Sequence, residues 1–262
     1  HAFDQGPGGV AATLNSMEAL GRLHFRRVHY SGLRADPREP FRPAEIQAAG
    51  ARIGFLAATQ FLNLPEPRGL VLKVDYQNEA EAASFIERLR ELAPRYDLFV
   101  LSYHGGREYA GQPEGARVRF FRRLIEAGVD IVYGHHPHRV QGFELIGTER
   151  KRGLILYSAG NFLSGMSWGL DPLEPQDERT WTGDSFLWVV SLTCSTQGCS
   201  VEGVQPIPIT NVRGPEGGMV VSTFPGLAGR GLSESWGAFY RERSRCVLEL
   251  LHEWAPFEVD RR

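Results

Sequence analysis

The chain has 262 residues, and its charges nearly balance, with 29 Lys and Arg against 31 Asp and Glu and a formal net charge of −2. Proteins that bind nucleic acid usually carry a basic excess, so this balance argues against a nucleic-acid partner. Hydrophobic residues make up 42% and charged residues 23%, as in soluble globular proteins. No apolar run approaches the roughly 18 residues of a membrane-spanning helix. Length and composition predict one large α/β domain, or one domain with a small appendage.

Apolar periodicity predicts helices that alternate with buried strands through the first half of the chain. The capping residue Asn78, with Glu81 three positions later, marks the start of one of these helices. Alternation at this spacing is typical of a largely parallel sheet covered by helices. In chain order the expected elements are a helix over 8–23, a loop over 32–45, strands at Ala51–Thr59 and Leu70–Val74, a helix from Asn78 to Pro94, a strand at Asp97–Tyr103, a helix from Pro113 to Gly128 and a strand at Val129–Tyr133.

The second half of the chain predicts strands with short connections, which favour antiparallel pairing. A final helix is expected over 232–254, and its apolar stripe indicates burial against the rest of the protein or against a partner. The expected strands cover 140–146, 153–157, 185–194 and 199–207.

Two of the three cysteines, Cys194 and Cys199, flank a Ser-Thr-Gln-Gly turn between two of these strands. Opposed positions on paired strands lie within reach of a disulfide, and such a clip would indicate an exported protein. The alternative is a pair of reduced thiols in the cytosol. Both interpretations stay open on the sequence alone.

Histidine placement is the most informative chemical signal in the sequence. His104 directly follows one predicted strand, and the cluster of His135, His136 and His138 follows the next one. Ligands bind beyond the carboxyl ends of parallel strands, and imidazoles that converge there suit a divalent metal such as Zn, Mn or Fe. In an extended segment His136 and His138 would point to the same side. The alternative is an ordinary polar loop with solvated histidines.

Small and polar residues surround these histidines. Gly105 and Gly106 allow the backbone to approach a ligand closely. Arg107 suits an anion, and Glu108 suits a hydrogen bond from a metal-bound imidazole, although a surface ion pair explains both equally well. Asn161 ends another strand, which indicates either a group that supports the site or a turn former.

Four segments, in this order, resemble signatures of the poly-γ-glutamate biosynthesis or capsule-synthesis (CapA-type) family of calcineurin-like metallophosphatase relatives. The resemblance covers about residues 1–163, and residues from about 170 onward carry no motif of the family. The segments are His1-Ala-Phe-Asp4-Gln-Gly6, His104-Gly105-Gly106-Arg107-Glu108-Tyr109, Gly134-His135-His136-Pro137-His138 and Tyr157-Ser158-Ala159-Gly160-Asn161-Phe162.

The resemblance implies a site with divalent metal ions, expected to be two and to be Mn, Fe or Zn. It implies metal binding by His104, His136 and His138. It also makes His1 the general acid that protonates a leaving group. The residues implied to support this site or to contact the substrate are Asp4, Arg107, Glu108, His135 and Asn161.

For the fold, the resemblance implies an α/β, metallophosphatase-like layered sheet sandwich flanked by helices. A partial family domain is expected over 1–210, with a C-terminal loop and an amphipathic helix over 211–262 packed on it. The N-terminal part of the domain, which carries further metal ligands in the superfamily, is expected to be missing from this chain. Gly105 stands where the family usually has Trp, which predicts an open side of the pocket.

The function implied is capsule or poly-γ-glutamate biosynthesis, with a metal hydroxide attacking a phosphate ester. Two alternatives stay open: a non-catalytic subunit that assembles a membrane synthase or handles polymer, and, third, a γ-glutamyl amide hydrolase. Implied partners are synthase subunits at the membrane and an anionic polymer or phosphate ester, with no nucleic acid. The implied location is the extracytoplasmic face of the cell envelope, and a cytoplasmic location stays open.

Overall fold

The computed structural model describes residues 1–23, 28–147, 151–167, 170–174, 178–213 and 217–254. The chain divides into two compact units that interleave along the sequence. The first unit comprises His1–Gly105, Gly115–Gly134 and Cys194–Ser200, and the second comprises Gly106–Glu114, His135–Thr193 and Val201–Arg262. The domain boundary expected at 210/211 stays a prediction.

Helices and strands are mixed through both units, which gives the α/β fold that the sequence predicts. The α-helices are α1 (Gly6–Leu23), α2 (Glu79–Leu92), α3 (Gly115–Glu126) and α4 (Glu234–Trp254). The strands are β1 (Ala44–Ala48), β2 (Ala51–Thr59), β3 (Leu98–His104), β4 (Ile131–His135), β5 (Phe143–Gly147), β6 (Arg152–Leu156), β7 (Asp184–Ser195), β8 (Gly198–Arg213) and β9 (Met219–Thr223). No helix within the described ranges is long and apolar enough to cross a bilayer.

The sheet of the first unit is built on β2 and β3, which pair in parallel from Ile53 with Leu98 to Thr59 with His104. β1 pairs antiparallel with β2, and β4 is the neighbour of β3 on the other side. The parallel pairing confirms the prediction for this part of the chain. It also places Thr59 and His104, the last residues of β2 and β3, side by side at the carboxyl ends of these strands.

α2 begins where the sequence predicts, because its first turn has a local cap. The Asn78 side chain accepts hydrogen bonds from the backbone N–H groups of Ala80 and Glu81. The Glu81 carboxylate in turn accepts from the Asn78 amide and from the backbone N–H of Asp75. α3 begins at Gly115, two residues after Pro113, where the sequence predicts its start.

The strand predicted at Leu70–Val74 is wrong. Val71 and Lys73 form only isolated bridges, antiparallel with Leu33 and parallel with Thr59. Backbone hydrogen bonds to this segment come from two different directions, with Leu72 donating to the Gly32 carbonyl and accepting from the Thr59 N–H. The segment is extended and buried, but neither neighbour runs beside it long enough to form a ladder.

In the second unit, β5 and β6 pair antiparallel from Phe143 with Leu156 to Gly147 with Arg152, as their short connection predicts. β7, β8 and β9 form a separate three-stranded sheet. α4 packs on this unit through two apolar clusters along one face. One cluster is centred on Val247 and the other on Phe239 and Tyr240, against which Trp236 is partly buried.

A disulfide joins Cys194 to Cys199 at the end of β7 and the start of β8. This pairing agrees with the hairpin clip that the sequence allows, and Cys246 on α4 is a free thiol. Gly198 has a positive φ of 104°, which lets the chain reverse direction next to the clip.

Candidate functional site

The histidine cluster lies where β4 ends, in a bend of the backbone. His136 has φ 104° and His138 has φ 58°, and both values are uncommon for residues with a side chain. The expectation of an extended segment is therefore wrong. The bend nevertheless keeps the two imidazoles together, with ring centroids 5.8 Å apart. Backbone strain of this kind is concentrated at functional sites in proteins.

Asn161 fixes the tautomer of the neutral His138 ring. Its side-chain NH₂ donates to the Thr182 carbonyl at 3.0 Å, so its amide oxygen faces Nδ1 of His138 at 2.9 Å. An amide oxygen only accepts, so Nδ1 must carry the hydrogen. Nε2 of the neutral ring therefore keeps its lone pair. This is the arrangement that proteins use to prepare an imidazole as a metal ligand.

The other side of His138 carries an acidic and an aromatic neighbour. The Glu108 carboxylate lies 3.7 Å from Nε2, which is within ion-pair distance and beyond a hydrogen bond. The Tyr109 ring centroid lies 6.1 Å from that of His138. Arg107 is exposed and forms no ion pair within the described part of the chain. His135, the last residue of β4, is half-buried.

His104 is held in the first unit by the residue opposite it in the parallel pairing. The Thr59 hydroxyl lies 3.0 Å from Nδ1 of His104 and also donates to the Phe61 carbonyl. A hydroxyl that donates elsewhere accepts from Nδ1, which leaves Nε2 of His104 with the lone pair. The Phe61 ring packs against the imidazole edge to face, with centroids 5.8 Å apart.

His1 lies close to two polar side chains of the same unit. Its Nδ1 is 2.6 Å from a carboxylate oxygen of Asp4 and 2.9 Å from the Asn63 amide nitrogen. The second carboxylate oxygen of Asp4 is buried with no hydrogen-bond partner among the described residues. The His1 side chain is 85% exposed, so the ring is open to solvent while Asp4 orients it.

The prediction that Gly105 opens one side of a pocket is wrong. A Cβ atom at this position would come within 2.7 Å of the Gln60 side chain and 3.0 Å of the Tyr103 ring. Gln60 fills the space that a larger residue would need and donates a hydrogen bond to the Asp75 carboxylate. Glycine is therefore the residue that fits beside Gln60.

The donors of the histidine loop fit a divalent transition metal in part. Two imidazoles lie side by side, and Nε2 of His138 keeps its lone pair, as such metals require. Within the part of the chain that the structure describes, however, no group of three or more His, Cys, Asp or Glu is arranged to hold a metal ion. The ligand roles of His104, His136 and His138, and the two-metal site, remain predictions.

The residue after His138 belongs to a cluster that the sequence did not reveal. The Trp181 ring is enclosed by two guanidinium groups, with Arg139 at 5.1 Å and Arg243 at 3.7 Å from its centroid. Arg139 donates to the Tyr109 carbonyl, and Arg243 forms a buried ion pair with Asp184. The cluster thus connects Arg139, the residue after His138, to the loop that contains Tyr109 and to Trp181. Its members are up to about a hundred positions apart, so no local pattern indicates them.

Comparison with known proteins identifies a family whose members this chain resembles in sequence. The family described as bacterial capsule synthesis protein PGA_cap matches residues 1–166. The capsule biosynthesis protein CapA of Bacillus anthracis is 39% identical over 72 residues, which are 28% of this chain and 16% of that protein. The PGA biosynthesis protein CapA of Bacillus subtilis strain 168 is 34% identical over 90 residues, 34% of this chain and 22% of that protein.

These curated relatives are much longer than the segments matched, which span less than a quarter of either one. A solved structure of a hypothetical protein from Thermus thermophilus is 10% identical, covers 66% of this chain and 64% of its own, and has a TM-score of 0.35. The family match covers all four histidine- and glycine-containing signatures and more than half of the 262 residues. The chain therefore belongs to the bacterial capsule synthesis protein PGA_cap family.

Proposed function

We propose that this chain acts in capsule or poly-γ-glutamate biosynthesis as a metal-dependent phosphoesterase. The observation that carries the proposal is His138, whose Nδ1 is satisfied by Asn161 and whose ring centroid lies 5.8 Å from that of a second imidazole, His136. An ordinary solvated loop needs neither the fixed tautomer nor the positive φ of both histidines.

In this proposal His136 and His138 hold a divalent ion. When bound, such an ion polarises a phosphate ester and acidifies water. Asn161 keeps the His138 ring in one orientation, and the Glu108 carboxylate beside Nε2 adds negative charge that favours a cation. Arg107, exposed next to Glu108, is available to an anionic substrate group.

His1 is the proposed general acid. Asp4 accepts from Nδ1–H of its ring and orients it, so that Nε2–H delivers a proton to a departing oxygen. The His1 side chain is 85% exposed, so its ring is accessible to solvent and to a substrate. His104 is proposed as a further metal ligand through its Nε2, on the basis of the Thr59 hydrogen bond to Nδ1.

The biological setting follows from the family. We propose that the protein works at the cell envelope with other subunits of a polymer synthase, and that the polymer is anionic. The names of the two CapA relatives support capsule and PGA biosynthesis, and the phosphoester substrate is supported by the site chemistry alone.

The test uses the product of the complete gene, purified with and without Mn²⁺, Fe²⁺ or Zn²⁺, and measures bound metal by mass spectrometry. We expect about two ions per chain and hydrolysis of a generic phosphodiester such as bis-p-nitrophenyl phosphate. The double variant His136→Ala/His138→Ala should lose metal and turnover together. His29→Ala, an exposed histidine of the first unit, is the matched control and should change neither.

Each other outcome has a definite meaning. Metal binding without phosphodiester turnover would overturn the phosphoesterase assignment, and the absence of glutamate-oligomer release as well would favour a non-catalytic subunit of the synthase. Release of glutamate oligomers from γ-linked polymer, without phosphodiester cleavage, would identify an amide hydrolase. Unchanged metal content in the double histidine variant would refute the ligand assignment.

A further inference from the structure

Two arginines of the first unit meet at one aromatic residue, Phe41. The Arg34 guanidinium carbon lies 4.1 Å from the centroid of the Phe41 ring. Arg88, on the second turn from the C-terminal end of α2, donates from Nη2 to the Phe41 carbonyl. The loop that contains Arg34 and the helix that contains Arg88 thus bring two positive charges to the same residue.

Backbone carbonyls, and no carboxylates, hold these two side chains. Arg34 donates from Nε to the Gly69 carbonyl at 2.6 Å and from Nη1 to the Glu39 carbonyl. Within the described residues neither Arg34 nor Arg88 forms an ion pair with an acid. The nearby carboxylate of Asp36 is bound by Arg38, whose Nε lies 3.0 Å from it.

The charged form of Arg88 is destabilised in this arrangement. Burial lowers the pKa of the Arg88 guanidinium, and the charge of Arg34 lowers it further. Hydrogen bonds from Arg38 lower the pKa of the Asp36 carboxyl, and the charge of Arg34 also helps to lower it. Arg38 holds that carboxylate, however, and neither Arg34 nor Arg88 has an acidic hydrogen-bond partner among the described residues. A bound anion would remove the repulsion between the two guanidinium groups and part of their desolvation penalty.

Donors remain for such an anion. A guanidinium has five N–H groups, of which Arg34 uses two and Arg88 one in hydrogen bonds within the described chain. Both side chains are half-buried, and the nitrogens without a hydrogen bond among the described residues, Nη2 of Arg34 and Nε and Nη1 of Arg88, are accessible to solvent. The carbonyl contacts hold both forks in fixed positions, which reduces the entropy lost when a ligand binds.

We propose that Arg34 and Arg88 form a binding site for an anionic group, a carboxylate or a phosphate. Bidentate hydrogen bonds from two fixed guanidinium groups recognise either anion. The carboxylates of a γ-linked glutamate chain are one source, which rests on the proposed role in polymer synthesis, and inorganic phosphate or a phosphate ester is the other.

The experiment titrates the protein with a short γ-linked glutamate oligomer and, separately, with inorganic phosphate, by isothermal calorimetry at low and high salt. We expect binding that weakens as salt rises, since exposed charges are screened. Arg88→Gln should weaken it by at least about tenfold, the loss of one charge-assisted hydrogen bond or more. Arg90→Gln is the control, because Arg90 lies on the same helix, exposed and paired with Glu87.

Tighter binding of the oligomer would identify polymer as the source, and equal or tighter binding of phosphate would identify a phosphate ligand. No binding of either anion, or equal binding by Arg88→Gln and the native protein, would overturn the proposal. Circular dichroism and thermal melting check that the variants fold, and Arg34→Lys, which keeps the charge but loses the fork, is a second variant expected to bind weakly. Metal content and phosphodiester turnover are measured apart from this titration, so each proposal fails independently.

Discussion

The Asn161 amide oxygen lies 2.9 Å from Nδ1 of His138, and the nitrogen of the same amide donates to the Thr182 carbonyl. The Thr182 carbonyl thus holds the Asn161 side chain in place, and Asn161 in turn fixes the orientation of the His138 ring. Since Thr182 immediately follows Trp181, the cluster of Trp181 with its two arginines stabilises both ends of this connection.

Replacing Asn161 with Ala tests this relationship directly. Without the amide the His138 ring loses its fixed tautomer, and the affinity for Zn²⁺ or Mn²⁺ should fall by about 10- to 100-fold. The affinity is measured by titrating the metal-free protein with a chromophoric chelator as competitor. Asn15→Ala, at an exposed position of α1, serves as the control. Equal affinities of Asn161→Ala and the native protein would show that the amide has no role in metal binding.

The buried ion pair between Arg243 and Asp184 gives a second prediction, on stability. Each side chain is 5% exposed, so removing one partner leaves the other charge buried and unpaired. Arg243→Met should lower the free energy of unfolding by about 3–5 kcal/mol, and the double variant Arg243→Met/Asp184→Asn by less than the sum of the single changes.

Urea denaturation of the four proteins gives the coupling energy between these two positions. Arg245→Met is the matched control, because Arg245 lies on the same helix with its charge pairs in solvent, and its loss should leave the midpoint unchanged. Additive effects of the two single variants would show that the pair does not stabilise the fold.

We expect the buried hydroxyl of Tyr240 to make the protein less stable at high pH. Burial raises the pKa of its hydroxyl to about 12, and the charge of Asp184 adds to the shift. Because the folded-state pKa lies above the unfolded value of about 10, this group stabilises the fold fully below pH 10. That contribution is lost as the pH rises from about 10 to 12.

Absorbance at 295 nm reports the ionisation of tyrosine, and chemical denaturation at several pH values reports stability. Tyr240→Phe removes the hydrogen bond to the Asn211 carbonyl and should cost about 1 kcal/mol at neutral pH. Above pH 10 the variant should lose less stability than the native protein. Parallel pH profiles of the two proteins would contradict the prediction.

The disulfide gives a fourth prediction. Thiol titration of the denatured, non-reduced protein should find one free thiol per chain, that of Cys246. The variant Cys246→Ser should then show none, and reduction should reveal the two thiols of Cys194 and Cys199. Three thiols without reduction would mean that the hairpin is not closed in the protein as isolated.

The sequence predicts well those features that depend on neighbouring residues. The bounds of β2 are as predicted, because an apolar run between polar segments is a local signal. The start of α2 is predicted by Asn78 and Glu81, whose capping bonds lie within one turn. The turn between Cys194 and Cys199 is local in the same way.

The sequence does not predict features that depend on residues distant along the chain. Nothing near Leu70–Val74 indicates that its neighbours are too short to form a ladder. The bend at His136 and the filled space beside Gly105 depend on backbone conformation and on Gln60, neither of which has a sequence pattern. Arg34 lies in a loop and Arg88 in a helix, and no sequence pattern indicates that both contact Phe41.

The positive φ angles of His136 and His138 have a consequence for thermal stability. Glycine or asparagine would adopt these conformations with less strain, so either residue should make the folded protein more stable than histidine does at these positions. The variants His136→Gly and His138→Asn should therefore each melt at a higher temperature than the native protein, which thermal denaturation measures directly.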